Sequence, residues 1–146
     1  MKTFEELGVS DELLLAISEM GFEMPMPVQA KVIPHLLNED NDVVALAQTG
    51  TGKTAAFGLP VLQRIDASLR EPQAVILSPT RELCLQIAED LADFSKYLPE
   101  VNVLPVYGGS SIESQIRSLR RGVQVIVATP GRLLDLIKRG VAHLEN

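Results

Sequence analysis

The chain has 146 residues, of which 46% are hydrophobic, and carries a net charge of −6 at pH 7. This length and hydrophobicity allow one domain with a buried core, which excludes an intrinsically disordered protein. Its one cysteine excludes an internal disulfide, and without a membrane-length apolar run or a signal-peptide core we expect a cytoplasmic protein with no membrane partner.

Two helices are predicted before residue 40. Ser10 can cap the first helix, whose apolar residues recur at helical spacing, and Gly21 can end it. Pro27 suits the first turn of the second helix, which Pro34 would kink. The polar stretch over residues 38–42 then predicts a loop.

The next stretch has the organisation of a phosphate-binding loop. An apolar strand is predicted over residues 43–47, and a helix follows from Thr54 to about Leu69. In such a loop, backbone N–H groups surround the anion, Lys53 reaches the β- and γ-phosphates and the Thr54 hydroxyl sits on Mg²⁺. The loop residues are Ala47, Gln48, Thr49, Gly50, Thr51, Gly52, Lys53 and Thr54. Because the general pattern has glycine at position 47, an ordinary glycine- and threonine-rich turn is the alternative.

Strands and helices alternate along the rest of the chain. Apolar strands are predicted over residues 73–78, 101–106 and 124–128. Caps for the helices that follow them are Thr80, Ser110 and Thr129. Glu113 would complete a capping box with Ser110, and Gly140 would end the last helix. Continuously apolar strands predict a parallel sheet covered on both faces, in an α/β doubly wound domain.

Three turns follow these strands, and we expect them to share one edge of the sheet with the phosphate loop, because ligands bind beyond the carboxyl ends of parallel strands. Each turn combines a helix N-terminus with glycine, a hydroxyl group or arginine, which are donors that bind a phosphodiester backbone. The candidate residues are Pro79, Thr80, Arg81, Gly108, Gly109, Thr129, Pro130, Gly131 and Arg132. For each turn taken alone, ordinary capping is the alternative.

The charge distribution is consistent with a polyanionic ligand near the C-terminus. Residues 111–146 carry six basic and three acidic side chains, whereas acidic side chains outnumber basic ones in the rest of the chain. Solvated helix faces would explain the same charges equally well.

Five motifs in this order resemble the N-terminal RecA-like domain of the DEAD-box ATP-dependent RNA helicases, in particular bacterial ones. Phe4 with Gly21-Phe22…Pro25-x-Pro27-x-Gln29 is similar to the Q motif of that family. The stretch over residues 47–54 is similar to its first motif, AxTGxGKT, in which alanine is the expected opening residue. Residues 79–83 are similar to motif Ia, residues 108–109 to the GG motif and residues 129–132 to motif Ib.

The resemblance implies a RecA-like P-loop fold, incomplete in this chain, with residues 1–30 as the Q-motif region and residues 31–146 as the N-terminal part of the ATP-binding domain. It implies ATP and Mg²⁺ as cofactors and structured or duplex RNA, bound through its backbone, as partner. Gln29 would hydrogen-bond the adenine edge, with Phe22 stacked on the ring and Phe4 supporting the pocket. Lys53 and Thr54 would be the catalytic residues. Met26 stands where the family usually has a hydroxyl residue.

The resemblance also implies parts expected beyond Asn146, namely the Asp-Glu-Ala-Asp motif, the Ser-Ala-Thr motif and a second RecA-like domain. Because their carboxylates and arginines would act on Mg²⁺, water and phosphate, we expect residues 1–146 alone to be inactive. One alternative is a different P-loop enzyme without the Gln29 adenine contact, such as a small kinase or a DNA helicase. The other is a non-catalytic product that binds RNA or protein. The RNA target, helper proteins and oligomeric state do not follow from the sequence.

Overall fold

The computed structural model describes residues 2–40 and 52–144. The chain divides into two compact units, of which the first comprises Met1–Arg64 and Asp93–Pro99 and the second comprises Ile65–Ala92 and Glu100–Asn146. The predicted strand over residues 43–47 and the loop residues Ala47, Gln48, Thr49, Gly50 and Thr51 lie outside the described residues. The predicted division into residues 1–30 and 31–146 remains a prediction.

The described part of the first unit contains the helices α1 (Asp11–Glu19), α2 (Pro27–Asn38) and α3 (Gly52–Arg64), and α2 packs against α3. The fully buried side chains of this unit include those of Leu13, Ile17, Ile33, Leu59, Leu62 and Phe94. Helix α3 begins earlier than Thr54 and ends well before Leu69, so both predicted bounds were wrong. Asp66 forms a turn instead of continuing the helix, since its carboxylate accepts the N–H of Ser68 at 3.0 Å.

The end of α1 follows from the backbone of Gly21, whose φ is +89°. The N–H of Gly21 donates to Ser18 O at 3.1 Å, and the N–H of Phe22 donates to Ile17 O at 3.0 Å. This pair of bonds is a Schellman motif, which confirms the predicted helix end. It also fixes the position of Phe22 relative to α1. At the other end, Ser10 is the N-cap residue, but its side chain makes no cap hydrogen bond.

The second unit contains a parallel sheet of β1 (Ala74–Leu77), β2 (Val103–Val106) and β3 (Val125–Ala128), in the order β1-β3-β2. The central strand β3 is buried throughout. Its helices are α4 (Arg81–Phe94), whose last two residues belong to the first unit, α5 (Ile112–Arg121) and α6 (Pro130–Lys138). The predicted alternation and the parallel α/β sheet are confirmed for the described residues.

Helix α4 is anchored by Cys84, which is fully buried. Its thiol donates to Val127 O at 3.0 Å. Burial raises the pKa of the Cys84 thiol, so the side chain stays protonated at neutral pH and contributes packing rather than a nucleophile.

The helix starts of this unit agree only partly with the predicted caps. Thr80 Oγ1 accepts the N–H of Leu83 at 3.2 Å, as predicted. Helix α5 is capped by Ser111, whose hydroxyl accepts the N–H of Ser114 at 3.3 Å, so the predicted capping box at Ser110 was wrong. Thr129 is the N-cap residue of α6 without a side-chain cap bond.

Candidate functional site

Gln29 lies near the start of α2 and is only 1% exposed. Its Oε1 accepts the backbone N–H of Met26 at 2.8 Å, and its Nε2 donates to the carbonyl of Gly52 at 3.0 Å. The glutamine therefore joins the first turn of α2 to the first residue of α3. Because a carboxamide has two N–H donors and two acceptor lone pairs, one of each remains for another partner.

Gly52, the residue that Gln29 contacts, is also buried, and side chains lie close to its Cα. A Cβ atom added to it would overlap Met26 Sδ and would lie 3.1 Å from Gln29 Nε2. The absence of a side chain at this position lets α3 begin against Gln29.

Lys53 and Thr54 follow in the first turn of α3, and both are half-buried. The first N–H groups of a helix have no partner inside it, and together with the helix dipole they attract anions. Within residues 2–40 and 52–144, no group of three or more His, Cys, Asp or Glu side chains could hold a metal ion. A lone hydroxyl beside bound phosphates nevertheless suits Mg²⁺, which takes one or two protein ligands and substrate oxygens.

Phe22 contacts two other phenylalanines of the same unit. The rings of Phe4 and Phe22 have centroids 6.2 Å apart, and Phe22 meets Phe94 edge-on at 6.0 Å. Phe4 and Phe94 are buried, whereas Phe22 is half-buried. Phe4 and Phe94 therefore support the ring of Phe22, part of whose surface stays exposed.

The second unit brings three predicted turns to one edge of its sheet. Leu77 and Val106 are both paired with Ala128, so β1, β3 and β2 end level with one another. The nine candidate residues in these turns are all exposed or half-buried. Three of the four turns expected at one edge are therefore together, and residues 47–51 of the fourth, the phosphate loop, lie outside the described residues.

Arg81 lies in the first of these turns, with its guanidinium 5.1 Å from the ring centroid of Tyr107. Gly109, two residues after this tyrosine, has φ +82°, a backbone conformation that favours glycine. A Cβ atom at Gly109 would lie 3.6 Å from Arg81 Nη1. The aromatic ring and the second turn thus hold the arginine at the edge of the sheet.

Arg132 lies in α6 and is connected to the second turn through Gln115. Its Nη1 donates to Ser110 O at 3.2 Å and to Gln115 Oε1 at 2.9 Å. Gln115 Nε2 in turn donates to Tyr107 O at 3.2 Å. Sequence reasoning missed both Tyr107 and Gln115. The position of Tyr107 beside the glycine pair was an available signal, whereas a glutamine within an amphipathic helix gives none.

Two of the basic residues near the C-terminus, Arg121 and Arg132, lie at different ends of the sheet. Arg132 lies at the carboxyl ends of the strands, whereas Arg121 and Arg70 line a cavity of about 290 Å³ with residues that begin β2 and precede β3. In the part of the chain that the structure describes, no helix is both long and apolar enough to cross a bilayer.

Comparison with known proteins agrees with these features. A family model described as DEAD/DEAH box helicase matches residues 26–146. The ATP-dependent RNA helicase DeaD of Escherichia coli (strain K12) is 53% identical over 143 residues, which cover 98% of this chain and 23% of that protein. The DEAD-box ATP-dependent RNA helicase CshA of Bacillus cereus is 49% identical over 146 residues, or 100% of this chain and 27% of that protein.

A solved structure of S. cerevisiae Dbp5, bound to RNA and ADP BeF3, superposes with a TM-score of 0.87 at 39% identity and covers 99% of this chain and 36% of that one. The chain thus spans only 23% and 27% of the length of the DeaD and CshA relatives. The resemblance drawn from the motifs and the RecA-like fold are both confirmed. The chain belongs to the DEAD/DEAH box helicase family.

Proposed function

We propose that the full-length protein carrying this sequence is an ATP-dependent RNA helicase of the DEAD-box type, located in the cytoplasm. Residues 1–30 form its Q-motif region, and residues 31–146 form the N-terminal part of its ATP-binding domain. The observation that carries the proposal is the hydrogen bond from Gln29 Nε2 to Gly52 O. It joins a carboxamide with unused hydrogen-bonding capacity to the helix that presents Lys53 and Thr54.

In this proposal the nucleotide is recognised at both ends. The remaining donor and acceptor of Gln29 pair with the adenine edge, and the half-buried ring of Phe22, supported by Phe4, stacks on the base. Gly52 and the loop residues Ala47, Gln48, Thr49, Gly50 and Thr51 surround the phosphates with backbone N–H groups, and Lys53 holds the terminal phosphates. Thr54 would supply a hydroxyl ligand to Mg²⁺, which neutralises charge on the transferring phosphate.

RNA is held by the turns of the second unit. Arg81 and Arg132 supply charge, while Thr80, Thr129 and the glycine-containing turns supply backbone and hydroxyl donors to phosphates. Such contacts grip a single strand without reading its bases, which suits an enzyme that acts on many duplexes. A second RecA-like domain in the full-length protein would close on RNA and ATP, bend one strand and separate short duplexes, and hydrolysis would release the RNA.

The test compares two glutamines of the first unit that each bridge backbone groups. Gln29→Met should remove most of the preference for ATP over GTP, because no group then reads the purine edge. Gln63 accepts the N–H of Ser10 and donates to Gly8 O, at 3.0 and 2.8 Å, so Gln63→Met loses a structural bridge only. This control should keep the ratio of kcat/KM for ATP to that for GTP.

The measurement is RNA-stimulated hydrolysis by the full-length protein with each nucleotide. In Gln29→Met we expect the ratio of kcat/KM for ATP to that for GTP to fall by about tenfold or more, because the hydrogen bonds that distinguish the two bases are lost. An unchanged ratio would point to another P-loop enzyme, in which Gln29 is only structural. RNA binding without any nucleotide hydrolysis would instead support a non-catalytic binding protein.

A further inference from the structure

Gln115 is a polar side chain in α5 that is only 5% exposed. It contacts two functional turns at once, because its Oε1 receives Arg132 Nη1 at 2.9 Å and its Nε2 reaches Tyr107 O at 3.2 Å. A carboxamide can accept from a guanidinium with its oxygen while it donates to a carbonyl with its NH₂ group.

These contacts fix the direction of the guanidinium. Nη1 of Arg132 is shared between Gln115 Oε1 and Ser110 O. Because a guanidinium is planar and rigid, anchoring Nη1 also orients Nη2 and Nε, which make no hydrogen bond to the described residues and can bind a phosphate as a fork. An arginine held in this way loses less rotamer freedom when it binds than a freely moving one.

The same glutamine also constrains the second turn. Tyr107, whose carbonyl it binds, immediately precedes Gly108 and Gly109, and its ring faces the Arg81 guanidinium. One side chain therefore sets the relative placement of Arg132 and the turn before α5.

We propose that Gln115 is a positioning residue for RNA, which acts by holding the Arg132 guanidinium in the orientation that grips a backbone phosphate. This inference rests on the proposed function and deepens it. Gln115 itself makes no contact with RNA, so its effect on binding passes through Arg132.

The test measures the affinity of the full-length protein for a fluorescent single-stranded RNA as salt is varied. Gln115→Met preserves the length of the side chain and removes both hydrogen bonds. We expect about tenfold weaker binding, as for a lost hydrogen bond to a charged group. We also expect the slope of log K against log salt, which is negative, to become smaller in magnitude by about 0.7, the loss of one phosphate contact on a single strand.

Gln124 provides the matched control in the same unit. It is fully buried, accepts the N–H of Asn102 at 2.8 Å and donates to Glu100 O at 3.2 Å, beside the amino ends of the strands. Gln124→Met should lower the melting temperature while RNA affinity per folded molecule changes by less than about twofold, since a structural bridge carries no phosphate contact. Equal losses of affinity in both variants would mean that Gln115 is merely structural, and would overturn the proposal.

A double-mutant cycle isolates the route through Arg132. In an Arg132→Ala background, Gln115→Met should weaken RNA binding by less than about threefold, because the group it positions is gone. Full additivity of the two losses would overturn the proposal.

Arg132→Lys supplies a test that leaves the core untouched, in case Gln115→Met unfolds the protein. It keeps the charge but replaces the fork with one ammonium group, so binding should weaken by about fivefold. Wild-type affinity in this variant would contradict the proposal. If the unmutated protein binds no RNA, the proposed function itself fails, whereas tight RNA binding that ignores Gln115 removes only the present inference.

Discussion

In the first unit the groups assigned to the nucleotide are largely hidden, since Gln29 is 1% exposed and Gly52 is also buried. In the second unit the groups assigned to RNA are displayed, and Arg81, Gly108 and Gly109 are all exposed. Under the proposed function both units would bind through hydrogen bonds from amides and cations, Gln29 from a buried position and Arg81 from an exposed one.

The difference in burial matches the difference in task. A wrong base edge would leave the second N–H and the second lone pair of Gln29 unpaired in a buried position, at a cost of about 1–3 kcal/mol, so a site built around Gln29 can reject such a base. An exposed guanidinium loses little when a base changes, because it binds the phosphate and releases counterions. Under the proposed function, selectivity would therefore belong to the concealed site and general affinity to the displayed one.

The largest effect expected from a single change in the displayed site is that of Arg81→Ala. Removing this cation should weaken binding of single-stranded RNA by about tenfold at moderate salt. It should also reduce the magnitude of the slope of log K against log salt by about 0.7. Fluorescence anisotropy at several salt concentrations measures both quantities. Nucleotide affinity without RNA should stay unchanged, which separates the displayed site from the concealed one.

Two controls sharpen this experiment. Tyr107→Leu keeps the charge but removes the ring beneath it, so binding should weaken by only about threefold, the size of an exposed cation–π contact. Arg117→Ala removes an exposed arginine of α5 that lies outside the three turns, and RNA affinity should barely change. If Arg81→Ala and Arg117→Ala behave alike, net charge and not the sheet edge governs binding.

A smaller effect is expected from Met26→Thr in the concealed site. Met26 is the N-cap residue of α2, is 47% exposed and makes no side-chain cap bond. A threonine hydroxyl there could accept the N–H of Gln29, which would complete the capping box begun by Gln29 Oε1. We expect the first turn of α2 to gain about 1 kcal/mol.

Amide hydrogen exchange in the first turn of α2 reports this gain in the full-length protein, as about fivefold slower exchange. Ser10→Ala is the matched control, because Ser10 is also an N-cap residue whose side chain makes no cap bond. Removing the Ser10 hydroxyl should leave amide hydrogen exchange in α1 almost unchanged. No protection from Met26→Thr, or a large loss from Ser10→Ala, would contradict the assignment of these caps.

The cap residues also show how far sequence reasoning reaches. Gly21 and Gly140 were correctly predicted as helix ends, because both have positive φ and few other residues adopt that backbone. The hydroxyl caps were less predictable, since a hydroxyl has several possible partners. Thr129 Oγ1 lies 3.5 Å from Val106 O instead of capping α6, and Ser111 displaced Ser110 as the cap of α5.

The functional residues divide in the same manner. The roles of Lys53, Thr54 and Gln29 stay predictions, but they could be proposed from the sequence because the phosphate-loop and Q-motif patterns are local. Gln115 could not, because its role depends on Tyr107 and Arg132, which only the parallel register of β2 and β3 brings near one another. Long-range contacts of this kind leave no periodic signal along the chain.

The smallest effect concerns Glu19, a carboxylate of the first unit that is assigned to neither ligand. Its Oε2 lies 2.9 Å from Lys96 Nζ, and its Oε1 accepts the hydroxyl of Tyr97. The hydrogen bonds from Lys96 and then Tyr97 lower the pKa of Glu19, and the bond to Glu19 raises the pKa of Lys96.

The signs of these two shifts define the pH range in which the contact stabilises the fold. A lowered carboxylate pKa means stability that is present above its ordinary value of 4.5 and is lost as the pH falls through the folded-state pKa. A raised lysine pKa means stability that is present below pH 10.5 and is lost as the pH rises through the folded-state pKa.

Glu19→Gln should therefore flatten the acid limb of a plot of melting temperature against pH, measured against Glu23→Gln as a control. The change should be small and should shrink in high salt, because the two side chains are 60% and 41% exposed. A loss of nucleotide or RNA affinity in Glu19→Gln would contradict the assignment of Glu19 to neither ligand.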